Sequence, residues 1–467
     1  MPSAVASPEV DTTAALERLL RFLAVPGITG QEAAIGQEIV TALREVGVPG
    51  SAISFDDAHT RIPEPTQTGN LVVKLPAFGV KGAKPLLFLT HLDTVPLCAG
   101  ARPKVKGRRV VNDNEGTTAL GGDNRTGCAV LVTLAAELIR QKLPHPPLTL
   151  LFTVREESGL FGARHLNPAD LGKPVMGFNV DGRSAADVIV GAIGADRWTV
   201  DVRGKASHAG VAPERGVSAS LIVALAMAEV YAGGWWGQVT KDGKSGTSNI
   251  GFIGRPDGRS AGDATNVVTD FVHVKGESRS HDARFVRQIS AAFRAAFTSA
   301  AARVRDHRGR PGKVKFVSRL DYLPFRLRDD APVVRRAVAA VRSLGREPNL
   351  RVTNGGLDAN WMVKHGIPTV TFGAGQNEIH TVKEFVDLAE FESGCRLAVA
   401  LATGAADGET PAPATRRSPL VKVVGSPLVG CGRWPARLPI LHNRQVRHPE
   451  ESEIARSAFS PAEGVWV

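Results

Sequence analysis

Four cysteines in 467 residues, none of them in a C-x-x-C pair, are too few and too scattered for a disulfide framework. Cys98, Cys128, Cys395 and Cys431 fit a reducing compartment, so a cytoplasmic location is expected. No run approaches the ~20 apolar residues that a membrane-spanning helix requires. The opening segment MPSAVASPEVDTTAALERLL has no basic flank ahead of an apolar core, so no secretory signal is expected. Aromatics are scarce, at 6%, and do not interleave the basic clusters at 102–109 and 303–315. The net charge of +11 therefore reads as solvated surface with a mild attraction for anionic ligands, without a nucleic-acid platform. No Walker A pattern occurs, which removes the usual phosphate loop.

What the chain does contain is a series of short apolar runs that end in acids or imidazoles. Residues 86–96, LLFLTHLDTVP, begin as a buried strand and end in Thr90-His91-Leu92-Asp93. On extended chain, residues i and i+2 point to the same side, so His91 and Asp93 face one way. Strand ends of this kind are where open α/β sheets keep their sites. A neutral imidazole binds a metal well and a nearby carboxylate can hold its tautomer; a bare H-x-D can equally do no more than cap a sheet.

The rest of the chain follows the same rhythm. Helical spacing covers 12–23 and 31–46, with Pro26-Gly27 between them. Strands are predicted at 70–75 and 86–90, and a Gly-Gly turn opens a long helix at Asp123. Strand 148–154 ends in Arg155-Glu156-Glu157, strand 177–181 ends in Asp181, and strand 188–193 follows. Strands alternating with helices predict an α/β layer structure over 1–194 and 311–403. Between them the pattern changes. Strands at 197–203, 248–253 and 269–275 with helices at 217–230 and 283–304 predict a small inserted α+β domain over 195–310. After 310 the α/β order resumes: strand 313–318, helix 331–344, strand 351–353, helix 359–365, strand 369–372, the GAGQNEIH loop and a last helix at 384–402. Residues 404–467 are Pro/Arg-rich without sustained period, and a disordered extension is expected there.

His91, Asp123, Glu156-Glu157, Asp181 and His380 each follow a predicted strand or sit in a Gly-rich loop. Two His, two Asp and one Glu would supply two zinc-type ions with mixed nitrogen and oxygen ligands, one carboxylate being shared. Glu157 can ligate while Glu156 stays free as a base. The segments carrying these residues, THLDTVP, GGDNRTG, REESGLFGA, NVDG, GKASHAG and GAGQNEIHT, resemble the M20 metallopeptidase family, most of all its peptidase T-like branch. The resemblance runs from about 12 to 401, with the motifs in the family's order.

That resemblance implies a zinc-exopeptidase-like catalytic domain, a mixed sheet flanked by helices, with the inserted α+β unit as a lid that also mediates dimerisation. It implies His91 and Asp181 on one metal, Glu157 and His380 on the other, and Asp123 bridging them across a cis Asp123–Asn124 peptide. Zinc is the expected metal, with cobalt or manganese as alternatives. Glu156 would be the general base and Asp93 the partner of His91. The lid residue His208 would approach the site of a partner subunit, while Asn266 and Arg279 would bind a substrate carboxylate. The implied activity is cleavage of short peptides, as a tripeptidase-like aminopeptidase. An N-acyl-amino-acid deacylase or carboxypeptidase of the same family shares all the metal residues and stays open, as does a non-catalytic scaffold. His165, His273, His281 and His365 lack a strand-end context and are expected to be structural or solvated.

Overall fold

A computed structural model describes residues 9–404 except 114, 115, 260 and 263. The expected C-terminal extension thus lies, after its first residue, outside the described residues. Four apolar runs form the centre of the sheet: Leu148–Thr153, Leu86–His91, Met176–Val180 and Thr369–Phe372, side by side and parallel. Strands covered on both faces need such continuous apolar sequence, because neither face meets water. Leu71–Leu75 and Ile53–Phe55 extend one side antiparallel; Asp187–Ala192, Asn349–Thr353 and Phe325–Arg326 extend the other, to nine strands in all.

The two-residue alternation of these runs splits their side chains between two layers. Phe88, Leu150, Phe152 and Phe178 pack among residues of helices Thr12–Leu23, Ala33–Glu45, Gly122–Arg140, Pro332–Ser343 and Leu388–Thr403. Leu87, Leu89 and Leu151 pack on the opposite face with Ala163, Trp361 and Met362, from the short helices Phe161–His165 and Asp358–Lys364. Each fully buried Phe or Leu of this kind contributes roughly 1.5–3 kcal/mol. Because the four central strands are parallel, their C-terminal ends share one edge, and the segments that follow them share one face.

A second sheet holds five antiparallel strands in the order Gly237–Lys241, Lys244–Gly254, Phe271–Ser280, Gly194–Arg203, Lys313–Tyr322. Helices Ala219–Ala232 and Ala283–Arg303 supply its core, where Trp198, Val200 and Val202 meet Ile222, Phe285, Phe293 and Phe297. Here one expectation needs correction. The strand at 313, expected to reopen the catalytic stretch, pairs along its length with Gly194–Arg203, so the inserted unit ends after Tyr322 and not at 310. Its Val314 and Phe316 alternate with charged residues and pack on the core of this second sheet, the pattern of a half-exposed antiparallel strand.

A third, four-stranded sheet joins Gln376–Asn377, Phe385–Asp387, Arg109–Asn112 and Pro103–Lys106. It brackets the loop around His380. The last helix therefore starts later than expected: Phe385–Asp387 is strand, and Asp387 caps the helix by accepting from Ala389 N (2.9 Å) and Glu390 N (3.1 Å). Among the described residues no helix is long and apolar enough to cross a membrane.

Candidate active site

His91 is the last residue of its parallel strand and is 2% exposed. Its Nδ1 hydrogen-bonds the backbone oxygen of Asp93 at 3.0 Å, and its Nε2 faces Asp123 Oδ1 at 3.1 Å. The other oxygen of Asp123 lies 3.3 Å from Nε2 of His380, which is also 3.0 Å from Glu157. One carboxylate thus sits between two imidazoles. Ligand atoms of His91, Asp123 and Glu157 all fall within 4.8 Å of one another, so these three could hold a metal ion. Asp181 follows the strand Met176–Val180 and lines the same cleft of about 620 Å³ as Asp123, Glu156, Glu157 and His380. The Asp123–Asn124 peptide is cis.

The carboxylates are crowded. Burial pushes the Glu156 carboxyl well above its usual range; the charge of His91 opposes this, and those of Asp181, Asp358 and Glu157 add to it. Burial and the charge of Asp123 likewise raise Asp181 far above the usual range, and raise Glu157 to about 7. Burial opposes ionisation of Asp123 too, yet the hydrogen bonds from His380 and His91 outweigh it and hold that carboxyl below the ordinary value. The same hydrogen bonds, to Asp123 and Glu157, raise His380 to about 10. A buried cluster of this kind is short of positive charge, and its donors are the nitrogen and carboxylate oxygen atoms that divalent ions take.

Backbone amides explain how the loops are held. Asp93 accepts from Glu156 N (2.9 Å) and Glu157 N (3.1 Å), while its carboxylate stands 3.4 Å from His91 Nδ1. It therefore braces the loop bearing both glutamates as well as lying beside the imidazole. Sequence reasoning missed three further acids. Glu32, fully buried, accepts from Gly30 N (2.7 Å) and Arg155 N (3.1 Å), so three successive amides at 155–157 each end on a buried carboxylate. Glu384 accepts from Leu120 N, Gly121 N and Asp123 N at 2.8–3.0 Å, and fixes the turn that presents Asp123. Asp358 takes the hydroxyl of Thr153 at the end of the strand before Glu156, and burial raises its carboxyl to about 7. A signal for Glu384 exists in its place four residues after His380; Glu32 and Asp358 carry no comparable mark.

The lid residues are placed differently. His208 and Asn266 are exposed neighbours: His208 bridges to Val267, and Ala209 N donates to Asn266 O at 2.8 Å. Neither lines the cleft of its own chain. Arg279 does, and its guanidinium forks onto Glu277 at 2.8 and 3.0 Å. Of the histidines expected to be structural, His273 pairs with Asp201 (2.7 Å), His281 with Asn354 Oδ1 (2.8 Å) and His365 with the Ala163 carbonyl (2.9 Å).

Residues 87–404 match the model of peptidase family M20/M25/M40. An uncharacterized protein, YqjE of Bacillus subtilis (strain 168), is 31% identical over 392 residues, 84% of this chain and 98% of that one. The crystal structure of aminopeptidase PepT from Bacillus cereus ATCC 10987 superposes with a TM-score of 0.70 at 31% identity, again over 84% of this chain and 98% of its own. A tripeptidase from Staphylococcus aureus subsp. aureus mu50 gives a TM-score of 0.73 at 27% identity over the same shares. With two imidazoles sharing one carboxylate at the edge of an M20 peptidase fold, the chain belongs to peptidase family M20/M25/M40 and is a metallopeptidase, a hydrolase of peptide bonds, similar to the peptidase T proteins.

Proposed function

We propose that the protein is a two-metal aminopeptidase of short peptides, tripeptidase-like, acting in the cytoplasm. The observation that carries this is Asp123, whose two oxygens face His91 and His380 from opposite sides. His91 with Asp181 would hold one divalent ion and His380 with Glu157 the other, Asp123 being common to both; zinc suits this donor set, and cobalt or manganese could replace it. Bound there, such ions supply Lewis-acid polarisation of the peptide carbonyl and a more acidic water. Glu156 is the chain's own base: it lines the cleft beside Glu157, takes the proton of the attacking water and returns it to the leaving amine. Asp93 keeps Glu156 and Glu157 in register by holding their amides. Three buried free thiols, Cys98, Cys128 and Cys395, agree with a reducing compartment.

His208 completes the site from a second copy of the chain. It stands on the lid next to Val211, 78% exposed, and Val267, 45% exposed, apolar surface that a two-fold contact would cover. Asn266 follows it to that interface, and Arg279 offers its remaining N–H groups to a free carboxylate from the lid wall. The test is purified protein with added zinc, cobalt or manganese against tripeptides, dipeptides, N-acyl-amino acids and peptides with blocked termini. Tripeptides with a free amino terminus should be cleaved fastest. Faster turnover of N-acyl-amino acids, or release of C-terminal residues from N-blocked peptides, would make the protein a deacylase or carboxypeptidase instead. Turnover of none of these would leave a non-catalytic scaffold.

A further inference from the structure

We propose that Arg183 reads a carboxylate of the substrate on the catalytic wall of the cleft, which makes peptides carrying such a group the preferred class; this rests on the peptidase reading above. Four arginines line the cleft: Arg183, Arg197, Arg279 and Arg351. Three of them already face an acid, and Arg279 keeps for a ligand only the N–H groups that its fork onto Glu277 leaves over. Arg197 donates to the Ser158 carbonyl (2.8 Å) and pairs with Asp321 (2.9 Å). Arg279 forks onto Glu277, and Arg351 pairs with Asp187 (3.0 Å). The Arg183 guanidinium meets no acid and no acceptor among the described residues.

Its backbone, by contrast, is held firmly. Asp181 N donates to Phe372 O, Ala374 N to Gly182 O, Gly375 N to Arg183 O and Gly373 N to Ser184 O, all at 2.8–3.0 Å. The segment 181–184 is thereby zipped against 372–375, an approach so close that a Cβ on Gly373 would stand 2.3 Å from Ser184 N. Two residues of chain span at most about 7 Å, so the anchor of Arg183 lies that near to Asp181, which lines the cleft with it. A free planar guanidinium, exposed to the cleft on a rigid mount, is the group that takes a carboxylate through two parallel N–H donors.

The carboxylate has two possible sources, the C-terminus or an acidic side chain, and the experiment separates them. Three tripeptides are compared on wild type, Arg183→Ala and Arg183→Lys: neutral side chains with a free C-terminus, the same peptide amidated, and an amidated peptide with a Glu side chain. The ratio of kcat/KM for the carboxylate-bearing peptide over its neutral counterpart should fall about tenfold in Arg183→Ala, chiefly through KM, and be partly kept in Arg183→Lys, which retains charge and loses the fork. A fall in the free-over-amidated ratio identifies the C-terminus; a fall in the Glu-over-neutral ratio identifies the side chain. Unchanged ratios in Arg183→Ala overturn the proposal. Calorimetric titration with the same peptides carrying a reduced, uncleavable bond runs alongside. If wild type cleaves no peptide, the peptidase reading fails, and the binding difference between wild type and Arg183→Ala still decides the role of Arg183. No binding by wild type overturns both.

Discussion

Glu156 and Glu157 are chemically identical neighbours, and the roles proposed for them come only from what each one faces. Asp93 holds both amides and both residues line the cleft, but it is Glu157 that meets His380, at 3.0 Å. Glu156→Gln keeps the shape and cannot take a proton, so kcat should fall by at least ~10²-fold while bound metal stays near the wild-type amount. Loss of metal together with activity, read by elemental analysis, would show Glu156 to be a ligand. Asp123 is tested by comparison with His380. Asp123→Ala removes a group that faces both imidazoles and His380→Ala removes one imidazole, so the first should lose more metal and more thermal stability. Equal metal loss in the two variants would count against a shared carboxylate.

At the scale of elements, the site depends on turns pinned from behind by helices. The turn after Asp181 is held by the Leu388–Thr403 helix, whose Glu390 accepts from Ala185 N (2.9 Å) and pairs with Arg346, which also reaches Ser184. Burial opposes ionisation of Glu390, and the Arg346 and Ala185 hydrogen bonds outweigh it, so its folded-state pKa lies below the usual value. A carboxyl depressed in this way stabilises the fold above its unfolded pKa of about 4.3 and loses that contribution as pH falls through the folded value. Glu390→Gln in metal-free protein should therefore cost about 1 kcal/mol near pH 7, a modest figure because the pair is partly exposed. That corresponds to a drop in Tm of roughly 1 °C, with the two melting curves converging below about pH 4. A constant gap from pH 3 to 8 would mean that shape, not charge, is what Glu390 supplies.

At the scale of the whole molecule, the proposal that matters most is that a complete site needs two chains. His208 lies outside its own cleft, beside exposed Val211 and Val267. His208→Ala and Glu156→Gln should each be nearly inactive as pure homodimers. Unfolded together and refolded, about half the dimers should be mixed, each with one site containing both groups, and roughly a quarter of wild-type activity should return. A mixture no more active than its parents, despite demonstrated subunit exchange, would confine catalysis to a single chain.

Much of this was legible in the sequence, for a physical reason. Buried parallel strands need largely apolar runs, so 86–90 and 148–154 announce themselves, and the polar residues directly after them, His91, Glu156 and Glu157, fall on one edge of the sheet. The residues left to tertiary structure are those whose partners are distant backbone amides. Glu32 and Arg155 are 123 residues apart, Glu384 and Asp123 261, and no local pattern encodes such a hydrogen bond. The sheet to which 313–322 belongs was settled in the same way, by its pairing with Gly194–Arg203, because an alternating strand satisfies its own period beside either sheet. So was the difference between Arg183 and the other arginines of the cleft. Sequence places a cation near the site, and only the fold decides whether another acid has already taken its charge.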